Sequence, residues 1–508
     1  MVEGSLSLSS WNIAAVNNNP FEYWITHNND GYNKLMLGVQ DFIEAPGDKD
    51  LLVSEVFTAD MFRELKDAMI AEGWKGIDET EAEWDANYKN RKIISGFLKD
   101  KEIGAKRLAS MPDRITNTIN TVNEGAVCRP TVINLYEGNL ETAAGWWSQW
   151  KDFMFTKEVQ IKTKAGVETK KVCQLLEKIK NSKYPAITVA EEEISIPLQT
   201  LCQAIFDAIL VHIMNTESPG TWHALKMSMC EALNKKKDDS TLSILSDVYG
   251  DSDVIFLQEV AATFIDKAQK TSLGSSHHIL VPEKLDGKRD QNSIILAKKA
   301  TFTVETVKEV TSDIESSFDA SVPVAGGDLF AVTIDDVNGK KFVLASFHGD
   351  TNGLATLPVV TAVNSFVDNL SEPHKFLFGL DANTNVEGSS KILGMNEFVS
   401  HYLQLGLTSC WGDTPDPLRI KTTYNARTYL QPQLNKAIRS DEKESKGNNN
   451  PNDFILFKKA DFQPLSVLKD NTGKKEYVEG MSFPTLEFPS DHGVISTKVE
   501  PVLGKEEL

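Results

Sequence analysis

The stretch FLFGLDANTN, residues 376–385, joins a strand-like segment to a cluster of polar side chains. Its first three residues are apolar, which is typical of a buried strand. Asp381 follows, and Asn383 comes two residues later. Because side chains alternate between the two faces of an extended chain, we expect Asp381 and Asn383 to point the same way. A carboxylate and an amide at the end of a buried strand are costly unless they bind something. The alternative is a strand that runs into an Asn-rich turn.

Other strand-like segments carry polar residues at their ends in the same way. Asn12 follows SLSLSSW, Glu259 follows VIFLQ, His348 follows FVLASF, Asp453 opens a strand with FILF, and Asp491 with His492 precedes GVIST. Turn residues would more often be Gly, Ser or Pro. The repetition therefore predicts that these strand ends meet at one functional site.

The spacing of these strands predicts the fold class. Strand-like segments dominate from residue 253 onward, with helical patterns near 354–370 and 391–405. This arrangement favours an α/β (α+β) fold with two sheets and helices outside them.

Composition limits the classes of function. The chain has 508 residues and a formal net charge of −19, so it lacks the overall basic surface with which long duplex nucleic acid is bound, although a local groove stays possible. Clustered carboxylates suit divalent cations instead. Five scattered cysteines without a CxxC spacing indicate a reducing compartment rather than disulfides or structural zinc.

The sequence gives two expectations about location. The N-terminal residues lack the basic and apolar regions of a signal peptide, and no segment has 18 consecutive apolar residues. We therefore expect an intracellular protein, cytoplasmic or nuclear, without a membrane span. The sequence identifies no partner protein.

At these strand ends the chain resembles the endonuclease/exonuclease/phosphatase superfamily. The matching words are WNI, FLQEV, SFHGDTN, GLDANT, PNDFILF and PSDHGVI, in the family's order, and FLQEV and SDHG are the most specific. The match covers residues 5–14 and about 240–500. The resemblance implies a DNase I-like fold, which is a two-sheet β-sandwich flanked by helices. Members of the family cleave phosphoester bonds with magnesium or manganese.

The resemblance also implies roles around the metal and the attacking water. Glu259 would be the principal ligand of Mg²⁺ or Mn²⁺, with Asn12 beside it. Asp381 would orient or deprotonate the attacking water, and Asn383 would contact the phosphoryl oxygens. A phosphodiester is anionic and repels hydroxide, so a divalent ion and a carboxylate that positions water fit its hydrolysis.

Four further residues receive roles from the resemblance. His348 and His492 would stabilise the charge that develops on the phosphate. Asp491 would orient His492 or bind a metal, and Asp453 would support the histidine or the leaving group. A hydrogen bond from an Asp to the imidazole would fix its tautomer.

The chain departs from the family at three places. Leu380 replaces the glycine of the frequent Gly-Asp-x-Asn motif, and Ala14 stands where some nucleases carry an acid. The segment before Phe454 lacks the Trp-Cys-Asp-Arg pattern of inositol polyphosphate 5-phosphatases. The strand VIFLQEV looks most like the deadenylase and tyrosyl-DNA phosphodiesterase branches, but one strand does not assign a branch.

Three functions remain open. The first is a metal-dependent phosphodiesterase or nuclease that acts on a phosphoester substrate such as RNA or single-stranded DNA. The second is a phosphomonoesterase that acts on a soluble or lipid phosphate. The third is a non-catalytic scaffold that keeps the fold, against which the presence of the full set of site residues weighs.

The largest departure from the family is an insertion. We predict that residues 1–19 hold the first strand, 20–235 a mainly helical insertion or cap domain, 236–500 the remainder of the catalytic domain and 501–508 a tail. Trp146, Trp147 and Trp150 have helical spacing, which favours a core stripe over a ligand platform. Because a strand–helix–strand crossover places the N-terminus of its helix at the same end as the C-terminus of the first strand, we expect both ends of the insertion at the active-site rim.

Overall fold

A computed structural model describes residues 4–164, 166–285 and 291–502 of the chain. These residues form two compact units. The sheet unit comprises residues 4–16, 232–426 and 442–502 among those described, and the helical unit comprises 17–231 and 427–441. The predicted tail, 501–508, falls mostly outside the described residues, since the last strand runs to Pro501 and the description stops at 502.

The described residues contain 16 strands, which are numbered here in chain order. They are β1 (Leu6–Asn12), β2 (Thr118–Asn120), β3 (Ala126–Cys128), β4 (Glu158–Thr163), β5 (Gly166–Lys171), β6 (Val254–Val260), β7 (His277–Leu280), β8 (Asn292–Lys298), β9 (Phe302–Glu309), β10 (Leu329–Asp336), β11 (Lys341–His348), β12 (Lys375–Asp381), β13 (Leu407–Ser409), β14 (Asp453–Lys458), β15 (Phe462–Asp470) and β16 (Val494–Pro501).

The α-helices of the described residues are numbered in the same way. They are α1 (Asp30–Glu44), α2 (Val53–Val56), α3 (Ala59–Ala71), α4 (Ile77–Ala86), α5 (Lys101–Lys106), α6 (Ser110–Thr116), α7 (Ala143–Phe155), α8 (Val189–Glu193), α9 (Ser195–Glu217), α10 (Trp222–Cys230), α11 (Lys237–Asp247), α12 (Ala262–Ala268), α13 (Ser272–Ser276), α14 (Thr311–Glu315), α15 (Thr356–Asp368), α16 (Met395–Gln404) and α17 (Lys443–Lys446).

The sheet unit is a sandwich of two six-stranded sheets, which confirms the predicted fold class. Sheet A has the order β15-β16-β1-β6-β8-β7, and sheet B has the order β13-β14-β12-β11-β10-β9. A buried apolar cluster joins the sheets and includes Leu8 and Phe256 from sheet A and Leu344 and Leu377 from sheet B. Both outer faces are covered by helices, α11 to α13 on sheet A and α14 to α16 on sheet B. Apolar side chains are buried between the two sheets and between each sheet and its helices. This burial is the main source of the stability of the sheet unit.

One glycine sets how closely the two sheets approach. Gly379, in the middle of β12, faces Phe256 of β6, and a Cβ added there would lie 2.3 Å from Cγ of that ring. The aromatic side chain of one sheet therefore fills the space that the absent side chain leaves in the other. This contact explains the glycine within an otherwise bulky apolar strand.

Three strands of the sheet unit were not predicted from the sequence. They are β7, β13 and β15, of which β13 has only three residues and β15 is an edge strand with four exposed residues. Short or half-exposed strands lack the apolar run that indicates a buried strand. The other nine strands of the sheet unit match the strands predicted at residues 5–14, 253–258, 293–298, 301–310, 329–334, 341–347, 376–380, 453–458 and 493–498, with ends that differ by a few residues.

The helical unit has its own core. Helix α9 runs through it, and Trp146, Trp147 and Trp150 of α7 are all buried, which confirms that the tryptophan stripe is core. Arg129 is fully buried and forms ion pairs with Asp207 of α9 at 2.7 Å and with Asp113 at 2.5 Å. The pairs satisfy a charge that would otherwise be very costly to bury.

Helix α9 is long and apolar enough to cross a membrane by length and composition. However, 89% of its most apolar window is buried inside the protein, which is the burial of a core helix. Length and composition alone are weak evidence for a membrane span.

The helical unit includes residues that the sequence analysis placed elsewhere. Residues 427–441 cluster with it, although they were assigned to the sheet-bearing domain. They are held there by side chains from the first part of the chain, because Arg427 pairs with Glu22 and the Trp24 indole donates to the Ile438 carbonyl at 2.8 Å. The cap role of residues 20–235 stays a prediction.

Candidate active site

Strand register brings the polar strand ends of sheet B together. His348 ends β11 and pairs with Asp381 at the end of the parallel strand β12. Asp381 in turn pairs with Asp453, which opens the antiparallel strand β14. Three of the predicted site residues therefore lie side by side on neighbouring strands.

The strand register of sheet A brings the other residues of the site together. Asn12 ends β1 and pairs with Gln258 of the parallel strand β6, so that Glu259 comes one residue beyond. Strand β16 runs antiparallel to β1 and begins at Val494, just after His492. The sequence SDHG therefore enters the sheet at the end where Asn12 leaves it.

Two carboxylates from different sheets converge on the same neighbours. The Asn12 amide donates to Glu259 Oε1 at 3.2 Å and to Asp381 Oδ2 at 2.9 Å. His348 Nε2 lies 3.4 Å from the same Glu259 oxygen and 3.7 Å from the same Asp381 oxygen. Glu259 Oε1 and Asp381 Oδ2 therefore lie near the same two side chains, those of Asn12 and His348.

The backbone at Glu259 is held in an unusual conformation. Glu259 has a φ of +56°, in the left-handed region, where β6 departs from its regular pairing with β8 between Leu257 and Val260. Its second carboxylate oxygen accepts the Ala15 N–H at 2.6 Å. Non-glycine residues in this region cost about 1–3 kcal/mol and cluster at functional sites.

The charge of the Glu259 carboxylate is favoured by its neighbours. Burial acts to raise the pKa of Glu259, but the His348 imidazole and the Ala15 N–H outweigh it, so that the pKa lies below its ordinary value. The carboxylate is therefore ionised over the neutral range.

His492 and Asp453 form a buried hydrogen-bonded pair. His492 Nδ1 lies 2.9 Å from Asp453 Oδ2, and Thr422 Oγ1 donates to that same oxygen at 2.5 Å. Burial acts to lower the pKa of His492, but the charges of Asp453 and Asp381 raise it well above its ordinary value. The Nε2 atom on the opposite side of the ring lies 3.6 Å from Asp381 Oδ2.

Asn383 reaches the site in a different way from the one expected. Strand β12 ends at Asp381, whose Oδ1 accepts the Asn383 N–H at 2.9 Å, and Asn383 has a φ of +48°. Side-chain alternation therefore does not apply here, because the chain turns at Asp381 instead of staying extended. The Asn383 amide nitrogen is buried and has no hydrogen-bond partner among the residues that the structure describes. An orphaned buried donor at such a place is what a site for an anionic oxygen requires.

Asp491 does not orient His492. That contact belongs to Asp453, and the charged groups that act on Asp491 are His492, Glu259 and Lys237. Burial is the largest effect and raises the pKa of Asp491, while the His492 and Lys237 cations lower it. Both Asp491 and Asp453 were predicted as possible partners of His492, and Asp453 makes the contact with the ring. The role of Asp491 as a metal ligand stays a prediction.

The donor set fits a hard divalent cation. Glu259 and Asp381 offer carboxylate oxygens, which are ligands that Mg²⁺ and Mn²⁺ prefer. The Asn12 amide presents its nitrogen to both carboxylates, and its Oδ1 accepts the Ala14 N–H at 2.9 Å. A second group, Asp381 with Asp453 and His492, also has its donor atoms within 4.8 Å of one another. This second group could also hold a cation, and it contains the 2.9 Å hydrogen bond between His492 and Asp453.

Three residues of the site were not found from the sequence. Thr422 supports Asp453, Ser490 Oγ donates to the Asn12 carbonyl at 2.6 Å, and Lys237 lies beside the turn after β1. Thr422 and Lys237 stand in segments without a strand-end pattern, so no local signal marks them. Ser490 lies within the motif PSDHGVI, and its position directly before Asp491 could have marked it as a site residue.

Several solved structures are similar to about half of the chain. The human Nocturnin catalytic domain with bound sulfate shows 13% identity and a TM-score of 0.35, covering 54% of this chain and 89% of that one. D. rerio TDP2 complexed with a single-strand DNA product shows 12% identity and a TM-score of 0.32, covering 52% and 91%. An endonuclease/exonuclease/phosphatase family protein from Bacteroides thetaiotaomicron shows 14% identity and a TM-score of 0.33, covering 52% and 89%.

The remaining comparisons concern the sequence. The profile of a family described as a domain of unknown function, DUF8234, matches residues 50–227, which lie within the helical unit and make up less than half of the chain. A comparison with curated proteins found no match. With TM-scores below 0.5, the structural likenesses do not place the whole chain in a family.

Proposed function

We propose that the sheet unit is a divalent-metal-dependent phosphoesterase, and that its reaction is hydrolysis of a phosphodiester by water. The observation that carries the proposal is the convergence of Glu259 Oε1 and Asp381 Oδ2 on the Asn12 amide and on His348 Nε2. Two hard oxygen donors beside an imidazole suit a bound cation and a phosphoryl group together.

Glu259, with Asn12 beside it, would hold Mg²⁺ or Mn²⁺. When bound, that ion supplies Lewis acidity toward the phosphoryl oxygens and charge neutralisation. Asp381 would orient the attacking water and accept its proton, which is supported by one of its oxygens being fixed by the Asn383 N–H and the other facing both histidines.

The remaining side chains act on the phosphate. The Asn383 amide donates to a phosphoryl oxygen, and the His492 imidazolium, with His348, stabilises the negative charge that develops there. Asp453 keeps His492 oriented and protonated through its hydrogen bond to Nδ1. The carboxylate of Asp491 interacts electrostatically with that of Glu259, and Asp491 is the second candidate for a metal ligand.

The substrate proposed first is a phosphodiester such as RNA or single-stranded DNA. A phosphomonoesterase would use the same groups on a soluble or lipid phosphate, and a scaffold would show no turnover at all. We further propose an intracellular location, cytoplasmic or nuclear, because none of the five cysteines, all of which the structure describes, forms a disulfide, and four are buried.

The test is hydrolysis of bis-p-nitrophenyl phosphate with Mg²⁺ or Mn²⁺, compared with p-nitrophenyl phosphate. The proposal predicts turnover of the diester that excess EDTA abolishes, and a loss of about 10³-fold or more in Glu259→Gln, because that change removes the charge of the principal ligand. The matched control is Glu397→Gln, the same change at an exposed position of α16, which should keep wild-type activity.

The outcomes separate the three functions. Faster turnover of the monoester favours the phosphomonoesterase, and a panel of RNA, single-stranded DNA, duplex DNA and phosphoinositide then assigns the substrate class. Full activity in excess EDTA, or in folded Glu259→Gln, refutes the metal-dependent mechanism. Absence of turnover on every substrate favours the scaffold.

A further inference from the structure

A buried lysine joins the two chain segments that carry the site. Lys237 is the first residue of α11, is 4% exposed, and lies in the sheet unit. Its ammonium donates to the Ala15 carbonyl at 3.4 Å and to the Pro489 carbonyl at 3.3 Å. One carbonyl belongs to the turn after β1, and the other lies directly before the SDHG segment.

Each carbonyl is coupled to a residue of the proposed metal and phosphate site. The Ala15 N–H donates to Glu259 Oε2 at 2.6 Å, so the position of this turn determines the orientation of the carboxylate. Pro489 precedes Ser490, whose hydroxyl donates to the Asn12 carbonyl at 2.6 Å and accepts the His492 N–H at 3.0 Å. Lys237 and Ser490 therefore each link the segment after β1 to the segment that contains SDHG.

The charge surroundings of Lys237 are acidic. Burial is the largest effect on it and lowers its pKa, while the nearby carboxylates of Asp491 and Glu259 raise it. A buried lysine is rare unless its ammonium is paired or hydrogen-bonded, and this one has both carbonyl acceptors and carboxylate neighbours.

We propose that Lys237 is a positioning residue of the site: by bridging the Ala15 and Pro489 carbonyls it fixes the spacing between the turn that orients Glu259 and the segment that carries Asp491 and His492. This inference rests on the proposed function for its link to catalysis, but its effect on ion binding is measured without substrate. Residues that support metal ligands typically change metal affinity or activity by 10–100-fold when they are removed.

The test compares Lys237→Met, which keeps the length of the side chain without its donors, with Lys237→Arg, which keeps donors. Mn²⁺ affinity is measured on substrate-free protein by electron paramagnetic resonance, and kcat and KM are measured with bis-p-nitrophenyl phosphate. Lys237→Met should bind Mn²⁺ about tenfold more weakly and lose about 10–100-fold in kcat, with a smaller change in KM. Lys237→Arg should restore most of the affinity.

The chain offers a matched control. Lys226 of α10 is also fully buried and donates to two carbonyls, those of Thr131 at 2.9 Å and Tyr136 at 2.8 Å, within the helical unit. Lys226→Met should lower the melting temperature while keeping wild-type Mn²⁺ affinity. The control separates the general cost of unpairing buried carbonyls from an effect on the site.

Several results would overturn the inference. One is folded Lys237→Met with wild-type Mn²⁺ affinity, and another is tighter Mn²⁺ binding, which would mean that Lys237 only opposes the ion by its charge. If Lys237→Met does not fold, Lys237→Gln is measured in the same way and read by the same criterion. Wild-type protein that binds Mn²⁺ without turning over any phosphoester refutes the proposed function alone, whereas wild-type protein that binds no Mn²⁺ refutes both.

Discussion

Replacing Asp453 by Asn tests the charged hydrogen bond at the centre of the site. Asp453 is fully buried, and its Oδ2 receives His492 Nδ1 at 2.9 Å. Asparagine keeps the size of the side chain and one acceptor oxygen but removes the negative charge. Because Thr422 donates to the same oxygen, the position of the side chain should be retained.

The magnitude follows from the difference between a charged and a neutral hydrogen bond. A hydrogen bond to a charged group contributes about 1.5–3 kcal/mol and a neutral one about 0.5–1.5 kcal/mol, so the charge accounts for about 1–1.5 kcal/mol. With about 1.4 kcal/mol for each factor of ten, losing the charge should lower kcat by about 5- to 13-fold. The same loss should lower the raised pKa of His492 toward its ordinary value, because the Asp453 charge is a main cause of the raised pKa.

The assay is the pH dependence of kcat on bis-p-nitrophenyl phosphate, with the His492 pKa followed by nuclear magnetic resonance of its ring proton. The alkaline limb of the profile should move to lower pH in Asp453→Asn, because the imidazolium is the form that stabilises the phosphate charge. The control is Asp413→Asn, which removes an ion pair with Lys459 in the same unit and should leave kcat unchanged. A folded Asp453→Asn with kcat within about twofold of wild type and an unshifted His492 pKa would refute this reasoning.

Three further predictions concern stability, each measured by urea unfolding. Gly379→Ala should lower the free energy of unfolding by about 1–3 kcal/mol, because its Cβ would lie 2.3 Å from the Phe256 ring, and an unchanged midpoint would contradict the close approach of the sheets. Asp207→Asn should cost about 3–5 kcal/mol, since it leaves the fully buried Arg129 without its principal partner, and a loss below about 1 kcal/mol would show that Asp113 suffices. In metal-free protein, wild type should have a larger free energy of unfolding than His492→Gln. This difference should be complete below about pH 6.5 and decline as the pH rises through the raised pKa of His492 in the folded state. A difference that grows with pH would contradict the assigned direction of the pKa shift.

The sequence predicts the sheets well because buried strands leave a strong local signal. The apolar run of β12 and the run before Glu259 are each fully buried on both faces of a sheet. A polar residue that directly follows such a run can be located to within a residue or two. The meeting of the strand ends then follows from the parallel pairing of β11 with β12 and of β1 with β6.

What the sequence does not predict depends on contacts between distant segments. Lys237 stands in a run of three lysines that gives no reason to expect one of them to be buried. Residues 427–441 lie between two segments of the sheet unit in sequence, yet the Arg427–Glu22 pair spans about 400 positions. A local pattern carries no information about such pairs, because the energy that selects them arises only after the chain has folded.

The support of His492 shows how geometry decides between two candidates. The resemblance offered both Asp491, which is adjacent in SDHG, and Asp453 as partners of the histidine. Asp453 reaches the imidazole instead because β14 pairs with β12 in the register that sets Asp453 opposite Asp381. His492 therefore lies between two carboxylates of sheet B, with Nδ1 at 2.9 Å from Asp453 and Nε2 at 3.6 Å from Asp381. A phosphate that entered beside Asp381 would meet the protonated Nε2 edge, which is the direction that stabilisation of its charge requires.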